Sequence, residues 1–311
     1  MKKEYIILTV LIVLLSAYLF FKKENADNYT LPAIEKVDAG AVTAVEIEKK
    51  NQPKIRLTRK DKTWTIAQDA FPADMNRVQT MLDTLKTFNL TALVSQKADT
   101  YRYLLDEQER IKVCYFIKDK EVFSFFVGKD VPTFNHTFVM LASDPNVYHA
   151  EGSFRRDFEH DVDGLRDKKI LSISGKEVKQ LSVSKDKLSK TVTATTSKTE
   201  GEAQERSWKV PGGKPVDKKT VDSFLALFSF LKCDTYPLDL SKAGLEKQTP
   251  VYTVQIEAKK PVVLKLYKAG ETKKWQGTSS MNDYAFLLND FDAKKITQAI
   301  DTFLGIKKKA P

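Results

Sequence analysis

Three histidines, His136, His149 and His160, fall within 25 residues beside Glu151, Asp157, Glu159, Asp161 and Asp163. Imidazole and carboxylate are the common ligands of zinc and related metals, so metal-assisted hydrolysis would have to be sought here. The spacing argues against it. No His-Glu-x-x-His occurs, and Asp161-Val162-Asp163-Gly164 lacks the further ligands and closing glutamate of a calcium loop. A solvated acidic loop is the expectation, with a metal-dependent hydrolase as the least favoured alternative.

Other reactive patterns fail for equally physical reasons. Pro211-Gly212-Gly213-Lys214-Pro215 has the look of a phosphate loop but lacks the glycine spacing and the hydroxyl residue after lysine, and Pro215 removes a backbone donor. It reads as a turn. No Gly-x-Ser-x-Gly is present, and nothing links Cys114 to a histidine as a nucleophile pair. No catalytic, cofactor-binding or metal residues are therefore assigned, no cofactor is expected, and the chain is read as no enzyme.

The elements that would carry any site repeat along the chain. From near Ala44 and again from near Gln180 come hairpin-like pairs, Val45 and Ile47 with Ile55 and Leu57, then Leu181 and Val183 with Val192 and Ala194. Each pair leads to a tryptophan, Trp64 or Trp208, read as a core anchor rather than a sugar-stacking platform because it recurs at the same place. Each then reaches an aspartate, Asp74 or Asp217, with the look of a helix N-cap. Val78, Leu82, Leu85 and Phe88 follow Asp74 at the offsets at which Val221, Leu225, Phe228 and Leu231 follow Asp217. That spacing predicts one long amphipathic helix per unit. Alternating strands come next: Ile111 to Ile117 and Val122 to Val127, then Val251 to Ile256 and Val262 to Tyr267, turning at Lys118-Asp119-Lys120 and Lys259-Lys260-Pro261. Each half closes with a further strand, Val147 to His149 or Tyr284 to Leu288, and a short helix.

The chain opens on seventeen uncharged residues, Tyr5 to Phe21, with Lys2 and Lys3 before and Lys22 and Lys23 after. At about 1.5 Å per residue this reads as a transmembrane helix, slightly short of a hydrocarbon core, with lysines to snorkel. Bulky Tyr18-Leu19-Phe20-Phe21 stands where signal peptidase wants small residues, so the segment is read as an uncleaved signal-anchor. The two-lysine start puts the large domain outside the cytoplasm. The formal net charge of +10 comes mostly from lysine, with nine arginines, and acidic residues are interspersed throughout. That is a solvated surface and not the clustered footprint of a nucleic-acid binder. With two cysteines, Cys114 and Cys233, the fold needs no disulfide framework; two thiols are the expectation and one bridge the alternative.

Taken together, the fold class is α+β: an N-terminal transmembrane helix, then two tandem repeats, each an antiparallel sheet packed with a long amphipathic helix. Residues 1–23 form the anchor, 24–40 a linker, 41–164 the first unit and 165–311 the second. The Trp64 phrase, Pro72-Ala73-Asp74, Leu93-Val94-Ser95, Val127-Gly128-Lys129 and Leu165 to Leu171 together resemble the DUF4340 family of bacterial envelope proteins. The resemblance implies a single-anchor protein with a tandem extracytoplasmic region, associated with gliding-type ABC transporter systems, and transfers no catalytic residue. The expected function is a non-catalytic, membrane-anchored binding or scaffold protein, accessory to such a transport complex. Its partners would be the cytoplasmic membrane, through Tyr5 to Phe21, and a transporter subunit, with no nucleic acid. The alternative is binding of an anionic envelope polymer by lysines around a groove between the units.

Overall fold

The computed structural model describes residues 2–21, 29–66, 70–96, 99–132, 135–197, 205–268 and 274–306. Lys22, Lys23, residues 24–28 and Ala67 to Asp69, which enter the expectations above, lie outside them. The chain divides into two compact units, Met1–Leu165 and Arg166–Pro311.

Unit 1 holds α1 (Lys2–Phe21), β1 (Ala44–Lys49), β2 (Ile55–Lys60), β3 (Thr63–Ile66), β4 (Phe71–Pro72), α2 (Met75–Thr87), β5 (Leu90–Ser95), β6 (Ile111–Ile117), β7 (Lys120–Asp130), β8 (His136–Leu141), β9 (Asp144–Glu151), α3 (Arg155–Phe158) and α4 (Val162–Leu165). The strands form one nine-stranded antiparallel sheet in the order β4-β3-β2-β1-β6-β7-β8-β9-β5. Alternation decides the buried face: Val45, Ile47, Leu57, Val113 and Tyr115 all point into one core. Helix α2 closes that core with Val78, Met81, Leu82 and Leu85, a single helical stripe. The Tyr115 hydroxyl, buried under α2, donates to the Met81 carbonyl at 2.7 Å. A smaller core of Leu105, Phe138, Met140 and Val147 lies apart from it, with Tyr103 and Phe126 packed alongside.

Unit 2 holds β10 (Lys169–Ser172), β11 (Gln180–Lys185), β12 (Leu188–Ser197), β13 (Glu205–Lys209), β14 (Pro215–Val216), α5 (Lys218–Phe228), β15 (Phe230–Lys232), α6 (Lys242–Leu245), β16 (Tyr252–Glu257), β17 (Val262–Lys268), β18 (Trp275–Ser279), β19 (Ala285–Leu288) and α7 (Asp290–Leu304). Its eight-stranded sheet runs β14-β13-β12-β11-β16-β17-β18-β19, and β10 pairs with β15 in a separate ribbon. Strand for strand, β11 to β14 and β16 to β19 repeat the order of β1 to β4 and β6 to β9. The hairpins β1–β2 and β11–β12 turn on Asn51 and Asp186, with φ of 59° and 52°, a left-handed backbone that short polar side chains tolerate. Helices α5 and α7 both cover the core, and Phe224 joins them, 4.3 Å from Phe228 and 4.8 Å from Phe303 between ring centroids.

This architecture corrects the expected fold class. The chain is mostly β-sheet, and the helices on the sheets are short: 13 residues in α2, 11 in α5 and 15 in α7. The helical face inferred after each aspartate outruns its helix. Phe88 is the C-cap of α2, and Leu231, at the same offset from Asp217, belongs to β15. Among the described residues no helix is long and apolar enough to cross a membrane. Three of the 20 residues of α1 are the charged Lys2, Lys3 and Glu4, and the rest reach only about 25 Å against a hydrocarbon core of about 30 Å. The transmembrane helix of the sequence reading is withdrawn on that ground.

Candidate functional site

The histidines do not assemble. His136 opens β8 and His149 lies in β9, with ring centroids 5.8 Å apart and Phe138 4.8 Å from His149. His160 sits between α3 and α4 against Arg77 of α2, and its carbonyl accepts from Lys49 Nζ at 3.1 Å. Two of the carboxylates named with them hold local structure. Glu159 accepts from Arg155 Nε at 2.6 Å, and Asp161 caps the Gly164 amide at 2.7 Å. Among the described residues no group of three or more His, Cys, Asp or Glu could hold a metal.

Burial first, then the neighbouring His136, holds His149 below the ordinary histidine range; burial, Arg77 and Lys49 do the same to His160. The unfolded chain takes up these protons near pH 6.5 while the folded chain still refuses them. Their contribution is thus complete above that pH and drains away as pH falls toward the lowered values. Asp157 runs the other way, its carboxyl raised by burial and then by Asp130, so it opposes the histidines toward the acid end. Thermal unfolding of unit 1 should shift down between about pH 7.5 and about 5.5, and the double variant His149→Gln/His160→Gln should flatten that shift. An undiminished shift in the variant would refute the assignment.

The remaining motifs resolve into scaffolding. Pro211 to Lys214 is the turn between β13 and β14, closed by Val210 N to Lys214 O and Gly213 N to Val210 O, both 3.0 Å, with Gly212 and Gly213 at positive φ. Trp64 and Trp208 are buried, 4% and 0% exposed, which removes any stacking platform. Asp74 caps α2 through Asn76 N at 2.9 Å, and Asp217 caps α5 through Thr220 N at 2.9 Å. Hydrogen bonds from Thr220 hold the Asp217 carboxyl below its usual range. Cys114 and Cys233 are both buried thiols, and burial with Glu121 nearby pushes Cys114 up to about 11, far from a reactive thiolate.

What sequence reasoning missed is a groove in unit 1. It has a volume of 530 Å³ and runs between the extended segment Leu31–Val37 and the stretch from the end of α2 into β5, with Phe123 at its floor. Leu31, Ile34 and Val37 pack on the core at three-residue spacing, while Ala33, Glu35 and Lys36 are exposed and line the groove. Phe88 forms the opposite wall, its ring 5.0 Å from Phe123 and 4.6 Å from Phe125. A smaller cleft of 290 Å³ has Arg110 stacked 4.3 Å over Phe126 among Lys49, Lys50 and Lys112. Glu48 and Glu107 alternate with those lysines, so the cleft is not a one-sign anion site. The groove lining is mixed, with Leu31, Ile34, Val37, Phe88 and Phe123 beside Glu35, Lys36, Lys86, Thr87 and Asn89.

Sheet order thus defines a tandem antiparallel-sheet protein, with a groove in unit 1. The family model described as "Domain of unknown function (DUF4340)" matches residues 64–248, from Trp64 in β3 to the approach of β16. That is more than half of the chain, which belongs to this family. No curated protein and no solved structure matches it.

Proposed function

We propose that the chain is a non-catalytic binding or scaffold protein of the cell envelope. It is held at the cytoplasmic membrane through Tyr5 to Phe21, carries its two sheet units on the outer side, and serves as an accessory to an ABC-type transport complex. The observation that carries the reading is the apolar exposure of α1. From Ile7 to Leu15 every described leucine, isoleucine and valine is more than half exposed. A contiguous apolar surface of that kind is stable only against lipid or another protein. The 530 Å³ groove supports the binding role, since it sets the apolar Leu31, Ile34, Val37 and Phe88 beside the charged Glu35, Lys36 and Lys86. Attachment near the bilayer raises effective concentration for membrane partners, so modest contacts suffice.

Removal of residues 1–23 tests this. The shortened chain should keep its unfolding midpoint, leave the membrane fraction and lose its in-cell crosslinks to transporter subunits. A shortened chain that crosslinks to the same subunits as strongly as the full one defeats the proposal.

A further inference from the structure

The two units differ at one place, and the difference shapes the groove. In unit 2, β10 lies beside β15 in the register Lys169 with Lys232, Leu171 with Leu231 and Ser172 with Phe230. Further backbone bonds lengthen the pairing: Ile173 N to Ser229 O and Cys233 N to Lys168 O, both 2.9 Å. Ile170 and Leu171 are buried completely by it. After β10 comes a short 3-10 turn, Gly175–Glu177, whose following residue, Val178, bonds back to the Gly175 carbonyl, and β11 begins three residues beyond the turn. Unit 1 has the same device. The turn Ala39–Ala41 is followed by Val42, bonded back to Ala39, and β1 begins three residues beyond.

Aligning the turns sets Ile34 against Ile170, Glu35 against Leu171, Lys36 against Ser172 and Val37 against Ile173. Aligning the caps Asp74 and Asp217 sets Thr87, Phe88 and Asn89 against Phe230, Leu231 and Lys232. In unit 2 these two stretches are hydrogen-bonded strands; in unit 1 they are the two walls of the groove. The cause is in the sequence. Glu35 would bring a carboxylate to the position where Leu171 is wholly buried, at a desolvation cost that backbone pairing does not offset. Three-residue spacing of Leu31, Ile34 and Val37 also matches a polyproline-type chain and not the two-residue alternation of a strand. Meanwhile β5, which continues from the groove wall, is the last strand of its sheet and, among the described residues, pairs on one edge alone.

The geometry points to a vacant strand slot: the groove of unit 1 takes an extended segment of a protein partner, which pairs along the outer edge of β5 and sets an aliphatic side chain against Phe88 and Phe123. The occupant is assigned by the second unit, where a strand of this very chain, carrying Ile170 and Leu171, fills the equivalent place. Strand addition of this kind draws affinity from main-chain bonds and selectivity from alternate side chains. It rests on the reading of the chain as a binding protein, but needs neither membrane attachment nor a transporter.

The probe is a synthetic peptide of residues 167–174, Asp-Lys-Lys-Ile-Leu-Ser-Ile-Ser, added to the full chain with amide hydrogen exchange as the readout. At ten times its Kd the peptide should slow exchange across residues 90–95 about tenfold. N-methylation of one alternate set of its amides should abolish the effect, and methylation of the other set should spare it. Glu35→Leu, at an exposed position, should let the chain's own segment close the slot, slowing the same amides without peptide and weakening peptide binding at least tenfold. No slowing at residues 90–95, indifference to which set is methylated, an effect confined to Phe230–Lys232, or unchanged peptide affinity in Glu35→Leu would each overturn the proposal. Crosslinking to transporter subunits could survive any of these results, so the two readings fail separately.

Discussion

Replacing Trp208 by alanine is expected to cost unit 2 about 3–5 kcal/mol, a large part of the stability of an ordinary domain. The indole is wholly buried in the core and lies in β13 opposite Ala194 of β12 and Val216 of β14. Its Nε1 donates to Asp222 of α5 at 3.3 Å, so it joins sheet to helix as well as filling volume. The Arg206 guanidinium lies 4.5 Å over the ring and donates to the carbonyls of Gly175 and Val178. Loss of the ring therefore leaves a cavity, strands the Asp222 carboxylate without that donor and loosens the turn that leads into β11. Denaturant titration should show the transition of unit 2 moving to much lower denaturant, with Trp208→Phe recovering part of the loss. A midpoint within about 1 kcal/mol of the parent would mean that the tryptophan is no anchor.

The second large effect concerns Gly128, in β7. A Cβ there would overlap the Tyr103 carbonyl oxygen and come within 2.8 Å of Leu105 Cγ and 3.0 Å of the Phe138 carbonyl oxygen. Two of those three atoms belong to backbone, which cannot rotate aside. Gly128→Ala should cost about 1–3 kcal/mol, the usual range for overpacking, and Gly128→Val more. The damage should be local. The turn Tyr101–Tyr103 would lift from the smaller core, breaking the contact between Tyr103 and Phe138, whose ring centroids are 4.8 Å apart. Proteolysis between residues 99 and 110 should accelerate in Gly128→Ala while Trp64 stays shielded. Equal stability and equal cleavage would show that the segment does not press on β7 as described.

Some of this was legible in the residues and some was not. Asp74 and Asp217 announce helix starts because a carboxylate four residues ahead of an apolar stripe has one good use, satisfying open amides. The tryptophans could be placed in the cores because they recur at one position, and the turn at Pro211 to Lys214 because its glycines take positive φ. Helix length was not legible. Leu231 extends a helical stripe on paper, yet its backbone pairs with Leu171, a partner sixty residues earlier in the chain. Strand β8 was hidden because five of its six residues are buried, so it lacks the alternation that marks a strand with one wet face. Strand β18, Trp-Gln-Gly-Thr-Ser, has no apolar pattern and is defined only by its neighbours β17 and β19. The groove could not be found from one unit by itself, because it exists through the difference between Glu35 and Leu171 at matching places.

The first strand of each sheet has a further consequence, for the order in which a growing chain can mature. β1 takes its second neighbour from β6, so Ala44–Lys49 must wait until Ile117 has emerged from the ribosome, and Gln180–Lys185 must likewise wait for Glu257. Such long-range closure is slow, and the waiting hairpins expose apolar edges. Among the described residues, however, no strand of the first sheet is borrowed from beyond Leu165. The earlier half can lock its register while the later half is still nascent, which keeps two strand sets of the same order from trading partners.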